Sequence, residues 1–190
     1  MGKKYSLMLV RDITHTLSAE RIRSSLALPG GSVDEIVKKD IERWKLKYHE
    51  EPSDVIIDLY RCSAQNAFED RLSITSCNDL WIIKDQELTF ETIKSAATSL
   101  SSNISLPIVY CSNFDDDIWI MGLCQQGREL TSHTISDYLA DFEMAPSIID
   151  IPIFTSTFDY LDQEDVQLIA NAKSIRDAEH AFSLLFHLKL

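Results

Sequence analysis

A chain of 190 residues, 45% hydrophobic and 25% charged, is long enough to bury one core and too apolar to stay disordered. Its formal charge of −12 is unevenly spread: residues 1–50 hold ten Lys/Arg against seven Asp/Glu, and the other 140 hold eight against twenty-three, a balance of −15. So acidic a body repels phosphate backbones and anionic lipid, which argues against nucleic acid or a membrane as partner, and it speeds encounter with a basic protein.

No apolar run approaches the roughly 18 residues that span a bilayer. The opening Met1-Gly2-Lys3-Lys4 leads into a strand-like stretch, not a signal-peptide core, so a cytosolic protein is expected. Four cysteines, at positions 62, 77, 111 and 124, include no C-x-x-C pair and read as four buried thiols in a reducing compartment.

In chain order, residues 5–11 (YSLMLVR) form a first strand. Ser18 opens a short helix carrying Ile22 and Leu26, stopped by Pro29-Gly30-Gly31. Ser32 and Glu35 make a capping box for a second helix, in which Val33, Ile36, Val37, Ile41, Trp44 and Tyr48 recur at helical spacing. Residues 54–61 (DVIIDLYR) are apolar and β-branched enough for a strand, and 71–76 and 80–84 predict two more, joined at Cys77-Asn78-Asp79. Thr89 caps a helix to about residue 101, with Leu88 and Ile93 spaced as a hydrophobic staple. Three strands follow, at 106–112, 118–124 and 130–135. A short helix near 136–142, an irregular stretch punctuated by Pro146 and Pro152, and helices starting at Asp162 and Ser174 complete the chain. Segments 60–77 and 109–124 echo one another faintly, as two similar hairpins would.

Strands joined by tight turns favour antiparallel pairing. The expected fold is therefore a single α+β domain spanning 1–190: a mainly antiparallel sheet of about six or seven strands, with helices on one face and at the C-terminal end.

The 113–130 stretch, NFDDDIWIMGLCQQGREL, raises the functional question. Asp115, Asp116 and Asp117 stand where two strands, apolar on both faces, meet water. Short carboxylates suit such a turn, yet three together repel unless a cation or basic group faces them. Asp115 and Asp117 share one side of an extended segment, but Trp119 and Ile120 occupy positions that a calcium loop gives to a ligand and to glycine. Gln126-Gly127 suits a two-residue turn, which would pair Gln125 with Arg128, Cys124 with Glu129, Leu123 with Leu130 and Ile120 with His133. That register keeps Cys124 and His133 roughly 13 Å apart, too far for a nucleophilic dyad.

Other candidates favour plain structural roles. Lys39, Arg43 and Lys47 line one edge of the second helix beside Trp44, diluted by Asp34, Glu35, Asp40 and Glu42, with Trp44 facing the core and Asp40 relieved by Arg43. His180 and His187 share the polar side of the last helix without the i, i+4 spacing of a metal clasp. Five glycines leave no G-x-G-x-x-G or Walker loop, and G-x-S-x-G, H-E-x-x-H and the zinc-deaminase signature are missing, so no cofactor, metal or catalytic residue is assigned.

The reading that follows is a non-enzymatic acidic binding protein, such as an immunity- or antitoxin-type inhibitor that occludes a basic partner protein. Asp115, Asp116, Asp117, Asp162, Glu164 and Asp165 would form the rim of contact. The alternatives are a metal-dependent hydrolase built on Asp115 and Asp117, or a structural, oligomeric component joined through the exposed part of the last helix.

Overall fold

The computed structural model describes residues 4–26, 33–86, 88–158 and 160–188, with the side chains of 68–70 left aside. Along the chain run β1 (Lys4–Arg11), α1 (Ala19–Ser25), α2 (Val33–Tyr48), α3 (Asp54–Arg71), β2 (Leu72–Cys77) and β3 (Leu80–Asp85). Then come α4 (Ile93–Ile104), β4 (Ile108–Phe114), β5 (Ile118–Gln125), β6 (Arg128–Ile135), α5 (Ile151–Thr157), α6 (Gln163–Ala170) and α7 (Ile175–Leu185). All six strands join one antiparallel sheet in the order β2-β3-β1-β4-β5-β6. The α+β class and the strand number are those the sequence predicts.

The central strands β1, β4 and β5 are buried at nearly every position because helices cover both faces of the sheet. On the first face Met8, Val10, Ile83, Ile108, Ile118 and Ile120 pack beneath α1 and α4. On the second, Leu7, Leu9, Val109, Trp119, Met121 and Leu123 pack beneath α5, α6 and α7 through Phe154, Val166 and Phe182. The C-terminal helices thus close the core by roofing the second face. The β6 edge is covered by the returning chain, whose Ser147 carbonyl accepts from the Thr134 amide at 3.1 Å and whose Asp150 amide donates to Thr131 Oγ1 at 2.6 Å. At the other edge, the Arg71 guanidinium meets the buried Asp85 carboxylate at 3.2 Å where α3 passes into β2.

Several elements differ from the sequence reading. Residues 54–61 are the first turns of α3, not a strand. Ile56, Ile57 and Tyr60 are half-buried and Val55 and Leu59 exposed, which is a helical face, and a run this short is ambiguous until its continuation to Arg71 supplies helical length. The supposed echo fails for the same reason, since 60–71 is helical where 109–124 is a hairpin. The 136–142 stretch forms successive turns, with the Tyr138 carbonyl accepting from Asp141 and Phe142 amides, and no helix. Conversely α5 arises in the stretch read as irregular: Asp150 caps it by accepting from Ile153 N, and Pro152 falls in the first turn, where its missing N–H costs nothing. The cap of α4 is Thr92, three residues after Thr89, and Leu88 and Ile93 are both buried in the first core. Pro29-Gly30-Gly31 and the Ser32 half of the capping box lie outside the described residues. Of the four free cysteines, Cys111 and Cys124 are buried, whereas Cys62 on α3 and Cys77 at the end of the edge strand β2 are exposed.

Gly122 is required by packing. Tyr110, its cross-strand partner, lies over it so closely that an added Cβ would come within 2.5 Å of the ring. Across this gap the Tyr110 hydroxyl donates to Glu129, which also accepts from Lys94 Nζ at 2.6 Å, so tyrosine, glutamate and lysine tie β4, β6 and α4 together. Gly122→Ala is expected to cost about 1–3 kcal/mol in urea unfolding. The cost should shrink in a Tyr110→Leu background, and an equal cost in both would rule out the ring as its cause.

Candidate functional site

Asp115, Asp116 and Asp117 occupy the β4–β5 turn, as their sequence position predicts. Asp115 and Asp116 adopt left-handed backbone (φ 56° and 61°), which aspartate tolerates better than most residues, and Asp117 N closes the turn on the Phe114 carbonyl at 3.0 Å. The carboxylates have separate partners. Asp115 meets Lys4 Nζ at 2.7 Å, and that ammonium also sits 4.3 Å from the Phe114 ring centroid. Asp116 is held from below by the buried Asn113: its amide donates to Asn113 Oδ1 and its Oδ1 accepts from Asn113 Nδ2, both at 3.1 Å. The repulsion expected among three carboxylates is thus relieved by one ammonium and one side-chain amide. Among the described residues, no group of three or more His, Cys, Asp or Glu side chains is placed to hold a metal ion, so Asp115 and Asp117 gain no third ligand of these types.

Asn113 also donates to Glu179 Oε1 at 2.7 Å, joining the turn to the first half of α7. Glu179 is buried, and the sequence reading missed it. The available signal was its position three residues before Phe182 and seven before Phe186, on the apolar stripe of α7, where a carboxylate demands a partner. Tyr5 completes this polar core, its hydroxyl 3.9 Å from Cys111 Sγ. Burial, then the neighbouring Cys111 and Glu179, push the phenol far above its ordinary range, and burial pushes the Cys111 thiol up, so both stay protonated.

A cleft of about 650 Å³ opens beside this network, lined by Asp116, Asp117, Asp137, Asp177 and Glu179, against Lys173 and Arg176. The remaining candidates, Asp162, Glu164 and Asp165, are exposed at the start of α6, where carboxylates complement the helix dipole. Asp165 borders a second cleft, of about 510 Å³, between β3 and the α6–α7 pair. Arg11 stands at its mouth, its Nε 2.6 Å from Asp79 and its guanidinium 3.6 Å from the Tyr160 ring centroid. The Arg11 hydrogen bond holds the Asp79 carboxyl below its usual range. Lys4 and Arg11 are the two ends of the eight-residue β1, roughly 23 Å apart at strand rise. The two acidic groups are therefore distinct, one at each end of the α6–α7 layer, with exposed Tyr160, Leu168 and Leu184 around the second cleft.

Cys124 and His133 lie on opposite faces of the sheet, Cys124 in the first core and His133 against Trp119 in the second. The register runs as expected for Gln125 with Arg128 and Cys124 with Glu129. A bulge at Leu123/Cys124 then shifts it by one, pairing Leu123 with Thr131, Met121 with His133 and Ile120 with Thr134. Sequence alternation does not reveal where a strand takes an extra residue. On α2, Arg43 meets Asp40 at 3.3 Å as expected, while Trp44 packs with Tyr48 and Tyr60 between α2 and α3 rather than in either sheet core. His180 and His187 are exposed.

Comparison with known proteins finds no match: no family model, no curated protein and no solved structure resembles the chain closely enough to place it. Fold and surface together define an α+β protein whose six-stranded antiparallel sheet is covered by helices on both faces, with the clefts described above bordering the α6–α7 layer. Among the described residues, no helix is long and apolar enough to cross a membrane.

Asn113 and Asp115 should rank differently in chemical denaturation. Asn113→Ala leaves the buried Glu179 short of a donor and is expected to cost about 1–3 kcal/mol, whereas Asp115→Asn breaks a half-exposed ion pair worth under about 1 kcal/mol. The reverse order would mean that the turn hangs on Lys4.

His133 provides a pH signature. Burial lowers its pKa below the ordinary 6.5, although the Ser147 and Ile169 backbone opposes the shift, and neither ring nitrogen closes a hydrogen bond of ordinary geometry. Below pH 6.5 the unfolded chain therefore takes up a proton that the folded chain refuses, so this contribution weakens stability as pH falls, by at most about 1.4 kcal/mol per pH unit. Urea midpoints between pH 7.5 and 5.5 should fall less in His133→Phe than in the parent; equal falls would exclude His133 as the cause.

Proposed function

We propose that the chain is a non-enzymatic acidic binding protein that docks a basic partner protein on its α6–α7 side, as an immunity- or antitoxin-type inhibitor does when it covers a cationic active site. The observation that carries this reading is the disposition of carboxylates along that side. Asp116, Asp117, Asp137 and Asp177 ring the cleft at the hairpin end, and Asp162, Glu164 and Asp165 stand exposed at the other. The ends of β1, beside which the two groups lie, are roughly 23 Å apart at strand rise, a span that fits within one interface of ordinary size, about 800 Å² per partner.

The mechanism is electrostatic steering followed by steric occlusion. Rim carboxylates raise the encounter rate, and the exposed Tyr160, Leu168 and Leu184 around the second cleft supply the desolvated centre. Asp115 contributes less than its neighbours, since Lys4 already matches its charge.

Capture from a lysate on immobilised protein should retain a basic protein at about 50 mM salt and release it near 500 mM, beyond which screening falls below about 5 Å. The purified partner should then associate at least about tenfold more slowly with Asp162→Asn/Glu164→Gln/Asp165→Asn than with the parent. No retention at low salt, or association indifferent to both salt and these changes, would sink the proposal.

A further inference from the structure

We infer that the cleft between β3 and the α6–α7 pair is the anchor socket of this docking face, and that it takes a large apolar side chain carried beside a lysine or arginine of the partner. The inference rests on the docking reading and names what that site would bind.

The roof of the second face is incomplete. Helices α5, α6 and α7 cover β1, β4 and β5, but Leu80 and Ile82 of β3 remain only partly buried and form a floor. Leu161, Leu168, Leu184 and Leu188 make the wall, with Leu168 57% and Leu184 56% exposed. A volume of about 510 Å³ falls within the roughly 300–1,000 Å³ typical of sites that enclose small ligands, and comfortably admits an aromatic or leucine side chain.

The rim selects the charge that accompanies the apolar group. Arg11 is the strong cation among the lining residues, and Asp79 matches it at 2.6 Å while Tyr160 stacks on its face. Asp165 then stands at the mouth, with Asp162 and Glu164 in the adjoining turn of α6. A cation next to the buried group meets these carboxylates, whereas a carboxylate there meets like charge. His187 is exposed on the same rim.

Cys77, exposed and lining the cleft, reports on the socket without a known partner, and exposed Cys62 on α3 is the internal reference. The protein is equilibrated with the mixed disulfides that three phenylalkyl thiols, bearing an amine, no charge or a carboxylate, form with 2-mercaptoethanol; each cysteine thiolate displaces 2-mercaptoethanol by thiol–disulfide exchange in the presence of excess 2-mercaptoethanol, and occupancy is read by peptide mass. The amine-bearing thiol should be captured at Cys77 about tenfold more than at Cys62, with the uncharged thiol intermediate and the carboxylate lowest. Leu184→Asp, at an exposed position, should bring capture of the uncharged thiol at Cys77 down to the Cys62 level.

Equal capture at both cysteines, or preference for the carboxylate, overturns the inference, the latter by making Arg11 an anion site. Light scattering that shows a dimer dissolved by Leu184→Asp also overturns it, by assigning the cleft to a second copy. Selective capture with no protein retained at low salt leaves the socket chemistry standing and removes the docking reading, so the two failures are separable.

Discussion

Burial of one sheet on both faces is the constraint on which the remaining structure depends. A strand covered from above and below has no polar side, so β1, β4 and β5 are apolar almost throughout, and two cores form back to back. Packing on both faces leaves little tolerance for volume changes. Gly122 is small because Tyr110 must cross it, and Tyr110 crosses it to meet Glu129 at the sheet margin.

Polar groups beneath the hairpin turn are satisfied in a chain. Asn113 bonds both the hairpin aspartate and the glutamate of α7, and Tyr5, Cys111 and Glu179 lie together beneath the same helix. The acidic turn is consequently a rigid extension of the core. Its charge is displayed at a fixed position, which a surface used for recognition requires, since each side chain immobilised only on binding costs about 0.5–1.5 kcal/mol.

The face built from α6 and α7 combines several features. Carboxylates stand at both ends, exposed leucines lie around a cleft, and the strong cation in that cleft is matched by Asp79. The proposed docking of a basic protein rests on this apolar cleft and its acidic rim.

The sequence by itself determined what depends on local pattern. It specified the α+β class, the interior status of the hairpin from its unbroken apolar runs, the acidic turn at its tip, and the helix starts at Ser18, Asp162 and Ser174, because alternation, turn chemistry and helix-start signals act over a few residues. Residues 54–61 were illegible, since a short apolar run satisfies either period until its neighbours choose, and so was α5, whose first-turn proline reads as a breaker in isolation. Only the tertiary structure decided the bulge beside Cys124, the partners of Glu179, the separation of the two acidic groups and the unroofed floor of β3. Each of these arises from contacts between segments far apart in the chain, and no short-range pattern encodes where two such segments meet.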